Sequence, residues 1–388
     1  MPFKPPSRLT ALPSYLFVEI DRRKRAAIEA GKDVINFGVG DPDRPTFEYI
    51  VDAMRRAVGV PSYHRYPAGA GSVEFRASIA AFFEKRYRVR LDPESEVLAL
   101  IGSKEGLGHL PLAVLEPGDQ AIIPDPAYPV YQAGTLFAGG VPWTLTLRED
   151  AAWIPDLDAI PLDVARAAKL LFLNYPNNPT GAVCSREFLE RAVAFCKRHD
   201  IILAQDAAYN EMYFDTPAPS VLEIGDAHDV AIEFHSLSKT FGMTGWRIGF
   251  AVGRADVLAA LAKIKNNLDS GPFTAIQEAA QEAYAGMDRP EHVELRRMYR
   301  ERSEVMSDGL REIGFRVAPP RATFYVWAGV PHGHDAMGVA TRLLEEAAVV
   351  CIPGAGFGVA GEGYVRFAMT VEISRVREAL RRMRSLKW

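Results

Sequence analysis

Between about Thr46 and Val252 the chain alternates short, nearly unbroken apolar runs with longer stretches of helical period, and this pattern limits its possible folds more than any other feature. The apolar runs lie at 97–101, 121–123, 169–173, 201–204, 230–234 and 248–252. Runs of this kind, as opposed to strictly alternating ones, are strands covered on both faces, as in a parallel sheet between helical layers. The stretches between them carry apolar stripes at helical spacing, as at Phe75, Ile79, Phe82 and Phe83 within 72–88, and again over 107–115 and 186–199. Strand and helix in turn predict an α/β domain with a mostly parallel sheet flanked by helices.

Outside this region the pattern changes. Residues 1–13 read as an extended arm, 15–30 as a helix stopped by Gly31, and 34–37 as a short strand leading into Gly38-Val39-Gly40-Asp41-Pro42. Beyond Gly253, helical stretches at 255–266, 275–285 and 289–313 precede strand-like runs at 324–327 and 364–367, with a basic helix at 371–386. This predicts a smaller α+β domain. A chain of 388 residues exceeds one ordinary core. The expected division is 1–40 as arm and part of the small domain, 41–280 as the large domain and 281–388 as the small one.

Each of the first five runs leads into a loop holding a chemically useful residue: Ser103, Tyr128, Asn178, Asp206 and Lys239. In open α/β sheets ligands lie outside the carboxyl ends of the strands, so five such groups would face one pocket. Lys239 stands in His235-Ser236-Leu237-Ser238-Lys239-Thr240-Phe241-Gly242-Met243-Thr244-Gly245-Trp246-Arg247. Desolvation at a strand end would push its amine toward the free, nucleophilic form. Ser236, Ser238 and Arg247 could hold a dianionic phosphate. A solvated lysine in a turn would look the same in isolation. Together with the other strand ends, the set fits pyridoxal phosphate held as a Schiff base.

That cofactor sets further demands. A carboxylate must keep the ring nitrogen protonated; at about 3 Å and an effective dielectric near 20 the pair is worth roughly 5 kcal/mol, or at most about 4 pKa units. Asp206 is the candidate, with a strand-end turn residue as the alternative. Tyr209 and Asn178 suit the ring's 3'-oxygen, and Tyr128 suits stacking or plain core packing. Arg366, on an expected strand, could clamp a substrate carboxylate bidentately or form a structural salt bridge.

Composition narrows the function. A net charge of -4 without basic runs gives no reason to expect nucleic acid, and no apolar run is long enough to span a membrane. The N-terminus shows no secretory signal, and Cys184, Cys196 and Cys351 lack metal spacing, so reduced thiols in the cytoplasm are expected. His332 and His334 fit a polar loop better than a metal pair. Gly354-x-Gly356-x-Gly358 lacks the spacing and following helix of a dinucleotide site, so a loop beside the substrate is expected there.

The run Ser236-x-Ser238-Lys239 with Gly245-x-Arg247-x-Gly249, together with Asn178-Pro179-x-Gly181, Asp206-x-x-Tyr209 and Arg366, resembles the fold-type I, class I/II aminotransferases over nearly the whole chain. The resemblance implies that Lys239 is the Schiff-base lysine and proton shuttle, that Asp206 pairs with the pyridinium, and that Tyr209 and Asn178 contact the 3'-oxygen. It implies a phosphate cup of Ser103, Lys104, Ser236, Ser238 and Arg247, stacking by Tyr128, and a carboxylate grip by Arg366, Asn178 and the backbone at Gly40. Tyr66 matches a tyrosine that reaches the neighbouring subunit's phosphate, which implies a homodimer with shared sites, and Ser270 matches a second cross-subunit contact.

Within the family, the runs Leu12-Pro13-x-Tyr15-Leu16-Phe17, Gly102-Ser103-Lys104-Glu105-Gly106, Pro124-Asp125-Pro126-x-Tyr128-Pro129-Val130-Tyr131 and Glu233-Phe234-His235-Ser236-Leu237-Ser238-Lys239-Thr240 are similar to the bacterial-type LL-diaminopimelate aminotransferases. Those enzymes exchange an amino group between tetrahydrodipicolinate and glutamate in lysine biosynthesis. Tyr15 is the substrate-side residue the first run implies. One departure stands out: the loop 67–72 has no carboxylate before Glu74, where the family usually carries an acid able to read a distal ammonium. Aspartate, glutamine or an aromatic amino acid therefore stays open as substrate, as does a same-fold carbon–sulfur lyase.

Overall fold

The computed structural model describes residues 3–12, 16–386 and 388, with the side chains of Leu16, Phe17 and Val18 left aside. A seven-stranded sheet forms the larger layer. It comprises β2 (Val97–Leu100), β3 (Gln120–Asp125), β4 (Val141–Thr146), β5 (Ala168–Asn174), β6 (Ile202–Asp206), β7 (Ala231–Ser236) and β8 (Gly249–Gly253), in the order β2-β8-β7-β6-β5-β3-β4; β1 (Ile35–Asn36) lies elsewhere. β3, β4, β5, β6 and β7 pair in parallel, whereas β8 runs antiparallel to both its neighbours.

The unbroken apolar runs are explained by cover on both faces. Val97 and Ala99 enter the core under the helices Val73–Tyr87, Arg186–His199 and Thr274–Ala285, while Leu98 and Leu100 enter the core under Ser103–Val114 and Ala255–Leu268. The same two-residue alternation splits Ala231 from Ile232 and Leu171 from Leu170. β4 was not anticipated. It is an edge strand with Pro142 in it and mostly open side chains, so its composition carries little signal.

A second sheet of four strands, β12-β13-β10-β9, is built from β9 (Arg316–Val317), β10 (Tyr325–Gly329), β12 (Ile352–Pro353) and β13 (Tyr364–Ala368). β1 pairs in parallel with β11 (Val349–Val350), so the segment after the first long helix joins this end of the molecule. The helices Pro290–Glu312, Ala336–Ala347 and Ile373–Met383 cover this layer around Phe324, Val326, Val365 and Phe367. In the middle of β13, Arg366 stands opposite Trp327 of β10 and Ile352 of β12. No described helix is long and apolar enough to cross a membrane.

Candidate active site

The strand ends and the second sheet enclose one cleft of about 360 Å³. Its walls include Gly40, Ser103, Lys104, Tyr128, Asn178, Asp206, Tyr209, Ser236, Ser238, Lys239, Arg247 and Arg366. The five strand-end residues therefore do meet. Because β8 is antiparallel, its beginning lies at the same sheet edge as the ends of the parallel strands, and this brings Arg247 to the cleft.

Lys239 is in the short helix Leu237–Thr240 directly after β7. Its Nζ donates to the Gly40 carbonyl at 2.7 Å. Burial pulls its pKa down to about 8; Asp41 opposes this, while the Arg366 and Arg247 charges add to it. Gly40 must be a glycine here, since a Cβ would come within 2.0 Å of the Tyr325 hydroxyl. The Gly38–Gly40 strap thus ties the second sheet to the lysine: Gly38 O accepts from Arg366 Nη2 at 3.0 Å, and Phe37 O accepts from Ala368 N–H at 2.7 Å.

Asp206 ends β6 and is 4% exposed. Its Oδ2 accepts from the Tyr131 hydroxyl at 2.7 Å and its Oδ1 from Ala208 N–H at 3.2 Å. Burial raises the carboxyl to about 6, against the lowering effect of the Tyr131 hydrogen bond. Tyr131 was not singled out for this role by the sequence. It lies one helical turn after Tyr128, is fully buried and stacks on Phe172 at 4.8 Å, so the i, i+3 spacing was the available signal.

Arg366 is 4% exposed and makes no ion pair among the described residues. Nη1 donates to Asn178 Oδ1 at 2.7 Å, Nε is buried without a partner among the described residues, and the guanidinium lies over the rings of Tyr325 at 4.2 Å and Phe357 at 4.6 Å. The structural salt bridge is thus not found, and a buried cation without its counter-charge costs several kcal/mol until an anion arrives. The Gly354–Phe357 turn supplies Phe357, so the glycine-rich loop does border the cleft. Tyr325, also missed, hydrogen-bonds Tyr209 hydroxyl to hydroxyl at 2.9 Å. It follows Phe324 in an apolar strand, which hid its polar end.

Ser103 opens its helix four residues earlier than expected, with Gly102 before it at φ 77° and ψ 152°. The first turn therefore offers free N–H groups beside Lys104, Ser236, Ser238 and Arg247, a cradle for an anion. A Cβ at Gly102 would sit 2.5 Å from Arg247 Nη2 and obstruct it. Tyr66 and Ser270 do not line the cleft: Tyr66 is 91% exposed and Ser270 is also exposed. Tyr15 lies outside the described residues. All three cysteines are buried free thiols.

Residues 32–383 match the sequence profile of the family described as aminotransferase class I and II. The chain belongs to that family. Among similar curated relatives, the LL-diaminopimelate aminotransferase of Syntrophobacter fumaroxidans is 52% identical over 100% of both chains, and that of Aquifex aeolicus 49% identical over 98% of both. Among solved structures, substrate-bound BacF of Bacillus subtilis matches with a TM-score of 0.95 at 38% identity, covering 100% of this chain and 98% of that one. A double mutant of the Thermus thermophilus aspartate aminotransferase gives 0.92 at 30%, covering 99% and 100%. The frame is shared by relatives named for LL-diaminopimelate and a structure named for aspartate, so the frame alone does not choose the substrate.

Proposed function

We propose that this aminotransferase binds pyridoxal 5'-phosphate and transfers an amino group between LL-diaminopimelate and 2-oxoglutarate by a ping-pong mechanism, in lysine biosynthesis. The observation that carries the reading is Lys239, a partly buried amine at about 8, in one cleft with a buried carboxylate and an arginine that has no ion pair among the described residues. The residues present fit the cofactor. Among the described residues Asp206 is buried without an ion pair and Arg366 Nε has no partner, and the Gly102 cradle closes on Arg247.

When bound, pyridoxal phosphate supplies an aldehyde for amine exchange and a ring that takes up the electron pair left by the departing α-proton. Asp206 holds the proton at the ring nitrogen. Tyr209 and Asn178 hydrogen-bond the 3'-oxygen, and Tyr128 covers the ring face. Ser103, Lys104, Ser236, Ser238 and Arg247 hold the phosphate. Arg366, Asn178 and the Gly40 backbone orient the α-carboxylate of the substrate, and this places its α-hydrogen before Lys239. Lys239, in its free-amine form, carries the proton between the substrate's α-carbon and the cofactor's 4'-carbon.

The assembly we propose is a homodimer acting in the cytoplasm, with 41–280 as the cofactor domain and 1–40 and 281–388 as arm and small domain. The exposure of Tyr66 and Ser270 supports residues that serve a neighbouring subunit's site. The pairing of β1 with β11 supports grouping the N-terminal segment with the small domain. The diaminopimelate substrate rests on the named relatives at 52% and 49% identity.

Borohydride reduction of the cofactor-loaded protein, followed by peptide mass spectrometry, tests the reading. The expected result is a pyridoxyl mass on the peptide holding Lys239. A label on another lysine, or none, contradicts it.

A further inference from the structure

Outside the cleft stands a charged cluster that the proposed chemistry does not use. Lys265, in the helix Ala255–Leu268, is 0% exposed. Its ammonium donates to Glu105 Oε2 at 3.2 Å and to Asp269 Oδ1 at 2.8 Å, and Glu105 Oε1 meets His109 Nδ1 at 2.8 Å. Glu105, His109 and Asp269 converge closely enough to hold a metal ion, with ligand atoms within 4.8 Å of one another. The Lys265 ammonium, however, is already hydrogen-bonded to two of the three. Burying the lysine against its two partly exposed carboxylates carries a desolvation cost that an apolar residue of similar volume would not.

What Lys265 positions is the turn before Ser103. Glu105 Oε2 also accepts the Ile101 N–H at 3.0 Å, while the Ile101 carbonyl faces Arg247 Nη2 at 3.5 Å. Ile101 is therefore held at both its N–H and its carbonyl, and Gly102 follows it in a conformation suited to glycine. At the other end, Asp269 Oδ1 accepts the Gly271 N–H at 2.8 Å, and Gly271 packs closely on the Ala68 carbonyl. Lys265 thus links the Ile101–Lys104 turn to a loop that gives it a fixed anchor.

We infer that Lys265 is a positioning residue for the cofactor's phosphate group, acting through Glu105 on the turn that begins the helix Ser103–Val114. The inference rests on the pyridoxal phosphate reading above. It places the effect on the phosphate alone, because Lys265 does not line the cleft.

The test is equilibrium binding of pyridoxal phosphate and of phosphate-free pyridoxal to the cofactor-depleted parent protein, to Lys265→Met and to Glu105→Gln. Pyridoxal phosphate should bind each variant about tenfold more weakly, equivalent to about 1.4 kcal/mol. Pyridoxal should bind all three proteins alike. If Lys265→Met does not fold, Glu105→Gln carries the comparison, since it keeps the side-chain shape. Unchanged pyridoxal phosphate affinity, or equal weakening for both ligands, overturns the inference, whatever happens to the melting temperature. A parent protein that binds no pyridoxal phosphate fails the functional reading instead.

Discussion

Asp206 shows how a single residue can be costly to the fold and useful to the site. Its carboxyl is raised from 3.8 to about 6 by burial. A raised acid binds its proton more tightly folded than unfolded, so this contribution to stability is present below about pH 4 and lost as pH rises through about 6. A change of this size corresponds to about 3 kcal/mol. In cofactor-free protein, Asp206→Asn should therefore be more stable than the parent at pH 8, by an amount that shrinks as pH falls toward 4. Denaturant melts across that range check it, and an Asn variant that is less stable at pH 8 contradicts it. With cofactor bound, the same variant should lose most of its kcat, because an amide cannot hold the ring proton. At this scale Lys239, Asp206 and Arg366 were legible because a charged residue at the end of, or within, an apolar run is conspicuous. Tyr131 and Tyr325 were not, since a buried tyrosine looks like core until its hydroxyl has a partner.

At the level of elements, the longer buried strands were legible, whereas the exposed β4 and the two-residue buried strands β11 and β12 were not. The runs at 97–101 and 169–173 stand out because both faces of their strands are covered. β4, with Val141 and Thr146 open to solvent, has no such contrast. The start of the Ser103–Val114 helix was misplaced because Gly102 and Gly106 read as turn residues, whereas the anion cradle needs only the first of them. Gly102, at φ 77° and ψ 152°, occupies a region open essentially to glycine alone, where another residue costs roughly 1–3 kcal/mol. Gly102→Ala should keep the far-ultraviolet circular dichroism of the parent and weaken pyridoxal phosphate binding by about tenfold or more, since the Cβ meets Arg247. Parent-like affinity would show that this turn is not the phosphate cradle.

For the whole molecule, the α/β class and a single pocket at the strand ends could be read from the order of runs and loops. The closing of that pocket by the second sheet could not, because it depends on the Gly38–Gly40 strap and on β1 pairing with β11, more than 300 residues away in sequence. Substrate choice also lies outside the frame, which is shared with structures of other named activities. The loop 67–72 brings no carboxylate of its own, so diaminopimelate is the part of the account with most at stake. Mixing the cofactor-loaded protein with LL-diaminopimelate alone, and following the cofactor's absorbance and released ammonia together, tests it most directly. The account predicts conversion to the amine form of the cofactor, one equivalent per chain, then a halt until 2-oxoglutarate is added. Continuous ammonia release, or no conversion with LL-diaminopimelate where aspartate, glutamine or an aromatic amino acid converts fully, would contradict it.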